Sequence, residues 1–291
     1  MNQNTSLPTS LYKYLPASTA RKFFKNPSLR FTPPSKLNDI FELNAPIEEL
    51  VYDDKMSALE DYLSSRNITK SEGTFDGFLL LFHANYRVGN LSMNNGMATL
   101  MEDIGMGILS LSSINNSLLM WAHYCEDYKG VVVELDVASK FFQSEPSGRH
   151  FLPPQKIEYV TDRPRISLLE IAVKEARGEV NRMQMFFKPV FFTKSEDWHY
   201  EKEWRVATLD VDSLNTFTDD NGVPIIGLAP LPVEAIKSII INDKRSDSDL
   251  REQVLSFCND HKITLKLATT SIRKFALNIE TVPLPFNFCH S

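Results

Sequence analysis

Residues Ser195 to Val211 read SEDWHYEKEWRVATLDV. Two tryptophans, a tyrosine and a histidine stand there among carboxylates and cations. A solvated loop does not need that much aromatic surface, and a buried strand does not accommodate that much charge without partners. Taken as a strand from Glu201 onward, the side chains alternate between two faces. Glu201, Glu203, Arg205, Ala207, Leu209 and Val211 then share a face that is charged at its start and apolar afterwards. Charges at the entry of a core-facing row belong at the rim of a cleft. Trp204 and Val206 fall on the opposite face as anchors. Trp198 and Tyr200 precede the strand in a loop or helical turn, where they can wall a pocket. A plainer reading stands beside this one: Glu203 and Arg205 form a local ion pair on a partly exposed strand, contributing about 0–1 kcal/mol.

Upstream, LYKYLP (11–16) predicts a short strand stopped by proline, and STARKFFKN a helix with Ser18 or Thr19 as N-cap. SLRFTPP predicts a second strand, and SKLNDIFELN a polar, irregular turn. Helical spacing of apolar residues recurs from about 53 to 105. GILSLSS reads as a strand, NNSLLMWAHYCEDYKG as a helix closed by a left-handed Gly130, and VVVELDV as a buried strand. KIEYV is a further strand, and ISLLEIAVKEARGEVNRMQMFF the longest helix candidate. PVFFTK is expected to be a strand, as are IKSIIINDK and ITLKLAT, with an acid-capped helix between the last two. The core strands are placed near 11–15, 108–112, 130–136, 189–193 and 203–210. Without a steady βαβ rhythm, the order points to α+β: one domain over 1–291 with a mainly helical insertion at about 53–105.

The formal net charge of −6 argues against non-specific binding to nucleic acid or anionic lipid. No run of about 18 apolar residues exists to span a membrane. The polar start MNQNTSLPTS is unlike a secretory signal. Cys125, Cys258 and Cys289 form no CxxC pair and no zinc pattern, which fits reduced thiols in a cytoplasmic protein.

Two further patterns carry polar or aromatic chemistry. Ser110 and Ser112 share a strand face, with Ser113 and Asn115 beyond. Strand hydroxyls can orient a ligand or a carboxylate, although serines at strand ends also form turns. Trp121, Tyr124, Cys125 and Tyr128 fall on one helical stripe, a pattern typical of core. His123 lies off that stripe, and a lone histidine of this kind is more often structural than a ligand or base.

Four blocks together, LYKYLP, LRFTPPSKLNDIFE, ILSLSS with LLMWAHYCEDYKGVVVEL, and DWHYEKEWRV, resemble a widespread bacterial family defined only as a domain of unknown function. Its pattern is Y-[RK]-Y, an N-D-P-F-E-like turn, a W-[SA]-H-Y helix followed by glycine, and Y-E-x-E-W-R. Here Ile40 stands where proline is usual, and Lys13 where arginine is frequent. The order of elements is in turn similar to ADP-ribosyltransferases of the arginine–serine–glutamate type. That resemblance implies a split β core and NAD as substrate. It implies Glu203 as the carboxylate stabilising an oxocarbenium-like ribose, and Glu201 as the group activating the acceptor. It further implies Lys13 at the pyrophosphate, Ser110 and Ser112 orienting the nicotinamide side and the glutamate, and Tyr14, Trp198 or Tyr200 covering the nicotinamide ring. The acceptor is a protein, a nucleic acid or water, and the biological setting implied is bacterial defence against phage or toxin activity.

Two alternatives remain open on the residues alone. One is a metal-dependent nuclease or hydrolase using Asp39, Glu42, His123, Glu201 and Glu203, without a recognisable ligand spacing. The other is a non-catalytic module that senses a small ligand.

Overall fold

The computed structural model describes residues 6–42, 45–51, 53–65, 105–143, 152–179, 185, 188–208, 214–218, 224–242 and 244–283. The chain divides into two compact units: the first comprises Met1–Phe31, Gly107–Lys156 and His199–Ser291, the second Thr32–Met106 and Ile157–Trp198.

The first unit is built on an eight-stranded mixed sheet. Its strands are β1 (Ser10–Leu15), β3 (Gly107–Ser112), β4 (Val131–Asp136), β5 (Gln155–Lys156), β8 (Glu203–Thr208), β11 (Ile236–Ile241), β12 (Thr264–Thr270) and β13 (Leu277–Val282). Their order is β13-β12-β11-β4-β1-β3-β8-β5. β11 and β12 are parallel, and the other pairings are antiparallel. The parallel pair needs a long crossover, which helix α7 (Ser248–His261) supplies between them. Asp247 caps that helix by accepting the Leu250 N–H at 2.9 Å. A second sheet joins β2 (Ser28–Phe31), β10 (Pro224–Pro230) and β9 (Asn215–Thr218).

Alternation along the strands gives the large sheet two different faces. Leu11, Leu15, Leu109, Leu111, Val131, Val133, Trp204, Val206, Ile239 and Leu265 enter one apolar core. Helix α1 (Ala17–Lys25) and α7 cover it, with Phe23, Phe24 and Phe257 packed ring to ring. The other face holds Tyr14, Val132 and Ile240 against helix α4 (Leu118–Tyr124), whose Trp121 is fully buried. The indole N–H of Trp121 donates to the Asn115 carbonyl at 2.8 Å. Both described cysteines are buried free thiols, and burial pushes that of Cys258 up to about 12.

In the second unit, helices α2 (Glu48–Val51), α3 (Asp53–Ser65) and α5 (Leu168–Ala176) pack together, and Glu49 of α2 reaches the start of α5. This buried carboxylate accepts from Ser167 Oγ at 2.7 Å, Leu168 N at 3.1 Å and Leu169 N at 3.0 Å. A carboxylate at a helix N-terminus is satisfied there by otherwise unpaired N–H groups. β6 (Glu158–Val160) and β7 (Thr193–Ser195) form a short parallel pair, preceded at β7 by helix α6 (Lys188–Phe191).

Several expectations are corrected. PVFFTK is not a strand over 189–193: it begins inside α6, and only Thr193–Ser195 is extended. Pro189 has no N–H to give a ladder and suits the first turn of a helix. Helix α1 starts after Pro16, so neither Ser18 nor Thr19 is its cap. Gly130 is not a left-handed stop. The chain turns instead through three consecutive left-handed residues, Glu126, Asp127 and Tyr128, at φ of 52°, 53° and 70°. Gly130 is required for another reason: a Cβ there would lie 2.0 Å from the Leu15 carbonyl oxygen. KIEYV divides into β5 and β6. Of the expected helical insertion, 53–65 is α3, and 66–104 lie outside the described residues, as do Leu209 and Val211. Among the described residues no helix is long and apolar enough to cross a membrane.

Candidate functional site

Strand register in the first unit lines up several polar residues of one sheet face in a single row. Glu134 on β4 lies opposite Tyr12 on β1, Tyr12 opposite Ser112 on β3, and Ser112 opposite Glu203 on β8. Paired residues point to the same side of a sheet, so four polar side chains cross four strands in line.

At one end, Glu134 accepts from Ser238 Oγ at 2.5 Å and Lys266 Nζ at 2.6 Å. Burial pushes its pKa up, but the bonds from Lys266, Ser238 and Ser10, with the Lys266 charge, together hold it below the ordinary carboxylate value. The Tyr12 hydroxyl lies 3.5 Å from Glu134 Oε1, and its pKa is raised by burial and by that carboxylate.

At the other end stand the two glutamates of the opening stretch. Glu201 does not continue the strand. It ends a 3-10 turn over Glu196–Glu201, and Lys202, left-handed at φ 47°, separates it from β8. The alternation that put Glu201 and Glu203 on one strand face therefore fails at Lys202. Glu201 is held differently: Ser112 Oγ donates to its carbonyl at 2.6 Å, and the Tyr124 hydroxyl donates to its Oε1. Ser112 Oγ also accepts the Ile114 N–H at 3.2 Å, and the Ile114 carbonyl accepts the Tyr14 hydroxyl at 2.9 Å.

Glu203 is 2% exposed and Arg205 is 0% exposed. Arg205 grips Glu203 through Nε to Oε1 at 2.7 Å and Nη2 to Oε2 at 3.1 Å. The expected pair exists, but it is buried rather than on a partly exposed strand. Charged hydrogen bonds in bidentate geometry are what make such burial tolerable.

Lys13 leaves β1 on the opposite face from Ser110, Ser112 and Glu203, since it alternates with Tyr12 and Tyr14. β1 and β3 share only the register pair Tyr12↔Ser112 among the described residues. The Lys13 ammonium reaches the Ser110 carbonyl at 2.9 Å. Burial and the Arg30 charge lower its pKa to about 8, against the opposing pull of Glu203 and Glu201. Tyr200 packs at the edge of the α4 cluster, its ring 6.3 Å from that of His123. Trp198 belongs to the second unit, where the Lys194 ammonium lies 4.7 Å from its ring centroid.

The first unit thus brings together Ser112, Glu201 and Glu203, with Tyr14 nearby and the Lys13 charge felt by both glutamates. Tyr12, Glu134 and Tyr124 are additions that the sequence reading missed. A lone glutamate inside VVVELDV is the signal for Glu134, because an unpaired charge in a buried strand requires partners. Tyr124 was hidden within a helical stripe read as core. Among the described residues, no group of three His, Cys, Asp or Glu gathers in reach of one metal ion.

A protein-family model described as "Protein of unknown function (DUF2971)" matches residues 120–206. That span runs from α4 through β8 and contains Tyr124, Glu134, Glu201, Glu203 and Arg205. No curated protein and no solved structure matches the chain.

Proposed function

We propose that the first unit is an NAD-dependent ADP-ribosyltransferase or NAD-glycohydrolase with Glu203 and Glu201 as its working carboxylates. The observation that supports this most is the placement of Ser112. It lies opposite Glu203 across paired strands, and its hydroxyl holds the Glu201 carbonyl at 2.6 Å. Breaking the nicotinamide–ribose bond builds positive charge on the sugar, and a fixed carboxylate stabilises that charge. Glu203 takes this role. Glu201, positioned through Tyr124 and Ser112, removes the proton from the attacking group of a protein or nucleic-acid acceptor, while water attacking the ribose cation needs no such help. Tyr200 supplies ring surface for the nicotinamide, whereas Tyr14, buried against Trp121, acts from behind by holding the Ile114 carbonyl. Lys13 stands on the opposite face, which does not favour a direct phosphate contact; its charge instead balances the two glutamates. The metal-dependent alternative gains no support from the described carboxylates.

A second reading, a non-catalytic module for a small ligand, is favoured by the Arg205 clamp. A carboxylate already held by a guanidinium has a structural role without any chemistry. Calorimetry with NAD and measurement of nicotinamide release separate the two. Turnover supports the enzyme, binding without turnover supports the module, and neither binding nor turnover ends the NAD reading.

A further inference from the structure

A cleft of about 200 Å³ lies wholly within the second unit. Val160, Pro164, Pro189 and Val190 give it apolar walls. Its polar lining rests on Asp39 and on the ion pair of Glu42 with Lys194, joined at 3.1 Å with both side chains almost completely buried. Burying such a pair is costly unless the site has a use for the charge or pairs it well.

Asp39 carries the argument. It is 8% exposed and lines the cleft. Its Oδ1 accepts the Phe41 N–H at 2.9 Å, whereas its Oδ2 is buried with no hydrogen-bond partner among the described residues. Buried polar atoms in native proteins are nearly always satisfied, and an orphan asks for an explanation. The terminal torsion of an aspartate is soft, so a small turn presents Oδ2 to a donor arriving in the cleft.

The charge of the lining selects the donor. Asp39, Glu42 and Asp162 face Arg163 and Lys194. With Glu42 neutralised by Lys194, the remaining balance is negative. A charged donor binds a carboxylate roughly twice as strongly as a neutral one. At the rim, the Phe41 ring already holds the Arg163 guanidinium 5.2 Å from its centroid, so its face accepts cations. The volume is below the roughly 300 Å³ at which drug-sized sites begin, which suits a single ring. A hard metal ion needs six or more oxygens, and the described residues gather no group of three carboxylates here.

We propose that this cleft binds a small organic cation, an amidinium or ammonium group on a body of about one ring, with Asp39 as its anchor. The proposal does not depend on the NAD reading. It is tested by titrating the full chain with benzamidine, benzamide and benzoate under two-dimensional NMR, with magnesium chloride as a further arm. Benzamidine is expected to bind in roughly the millimolar range normal for a weak fragment. Its shifts should map to residues 39–42, 160–164 and 189–195, with benzamide and benzoate at least tenfold weaker. Asp39→Asn is expected to lose at least tenfold in benzamidine affinity. Equal binding of benzamide or benzoate overturns the proposal, as does unchanged affinity in a folded Asp39→Asn, or saturation by magnesium at lower concentration than benzamidine. Should that variant fail to fold, the three-ligand comparison on the wild type decides alone.

Discussion

Arg205 and Glu203 sit two positions apart on β8 and meet through two parallel hydrogen bonds, 2.7 and 3.1 Å long, with neither side chain open to water. Removing one partner takes both charged hydrogen bonds from the other. Arg205→Ala is expected to lower stability by about 3–5 kcal/mol. Chemical denaturation measures this, and a midpoint equal to the wild type's would show that water reaches the pair.

Glu203→Gln keeps the shape of the side chain and loses its charge. If Glu203 stabilises the ribose cation, nicotinamide release per folded molecule should fall by about 10²–10³. Glu201→Gln should instead impair transfer to the acceptor and spare hydrolysis. A Glu203→Gln enzyme as fast as the wild type would remove Glu203 from the chemistry.

Lys13 predicts a pH dependence. Burial and Arg30 lower its folded pKa to about 8 from an ordinary 10.5. Between those values the unfolded chain holds more protons than the folded one, so stability rises as pH increases through that window. Below pH 8 both states are protonated, and the cost of burying the charge is constant. Melting temperatures of the wild type and Lys13→Met across pH 7.5–10.5 give the check: the variant should lack this component of the slope.

Gly130 lies against the end of β1, and Trp121 packs α4 on Tyr14 of the same strand. A methyl at Gly130 meets the Leu15 carbonyl oxygen at 2.0 Å, a backbone atom that cannot swing away. Gly130→Ala should cost about 1–3 kcal/mol or more, and Trp121→Ala about 3–5 kcal/mol. Wild-type melting in either variant would contradict the packing described.

The sheet was legible because β-branched runs such as VVVELDV and IKSIII are apolar on both faces or alternate cleanly. PVFFTK misled for a physical reason: its residues favour a strand by type, while Pro189 and the neighbouring chain close a helical turn. Trp204 and Val206 were correctly placed as core anchors, since period-two alternation held from Glu203 to Thr208. The same alternation failed for Glu201, because one left-handed residue, Lys202, resets the facing of everything before it. Nothing local in EKEW announces that turn. The Glu134–Tyr12–Ser112–Glu203 row was also hidden, because it is made by register between strands distant in sequence.

The left-handed run at Glu126, Asp127 and Tyr128 has a mechanical meaning. Each such non-glycine residue is unfavourable by roughly 1–2 kcal/mol, and such conformations persist only where the surroundings enforce them. The enforcing contacts include the Glu126 carboxylate on the Ala17 N–H at 3.1 Å, the Tyr128 hydroxyl on the Leu118 carbonyl at 3.0 Å, the Asp127 N–H on the Ala122 carbonyl at 3.1 Å, the Tyr128 N–H on the Trp121 carbonyl at 3.2 Å and the Gly130 N–H on the Cys125 carbonyl at 2.8 Å. The joint therefore behaves as a loaded spring held by a set of clips, each a separate hydrogen bond. Releasing any one clip favours a looser path for the chain, and the residue that would feel the recoil is Tyr124, the last of α4, whose hydroxyl holds Glu201.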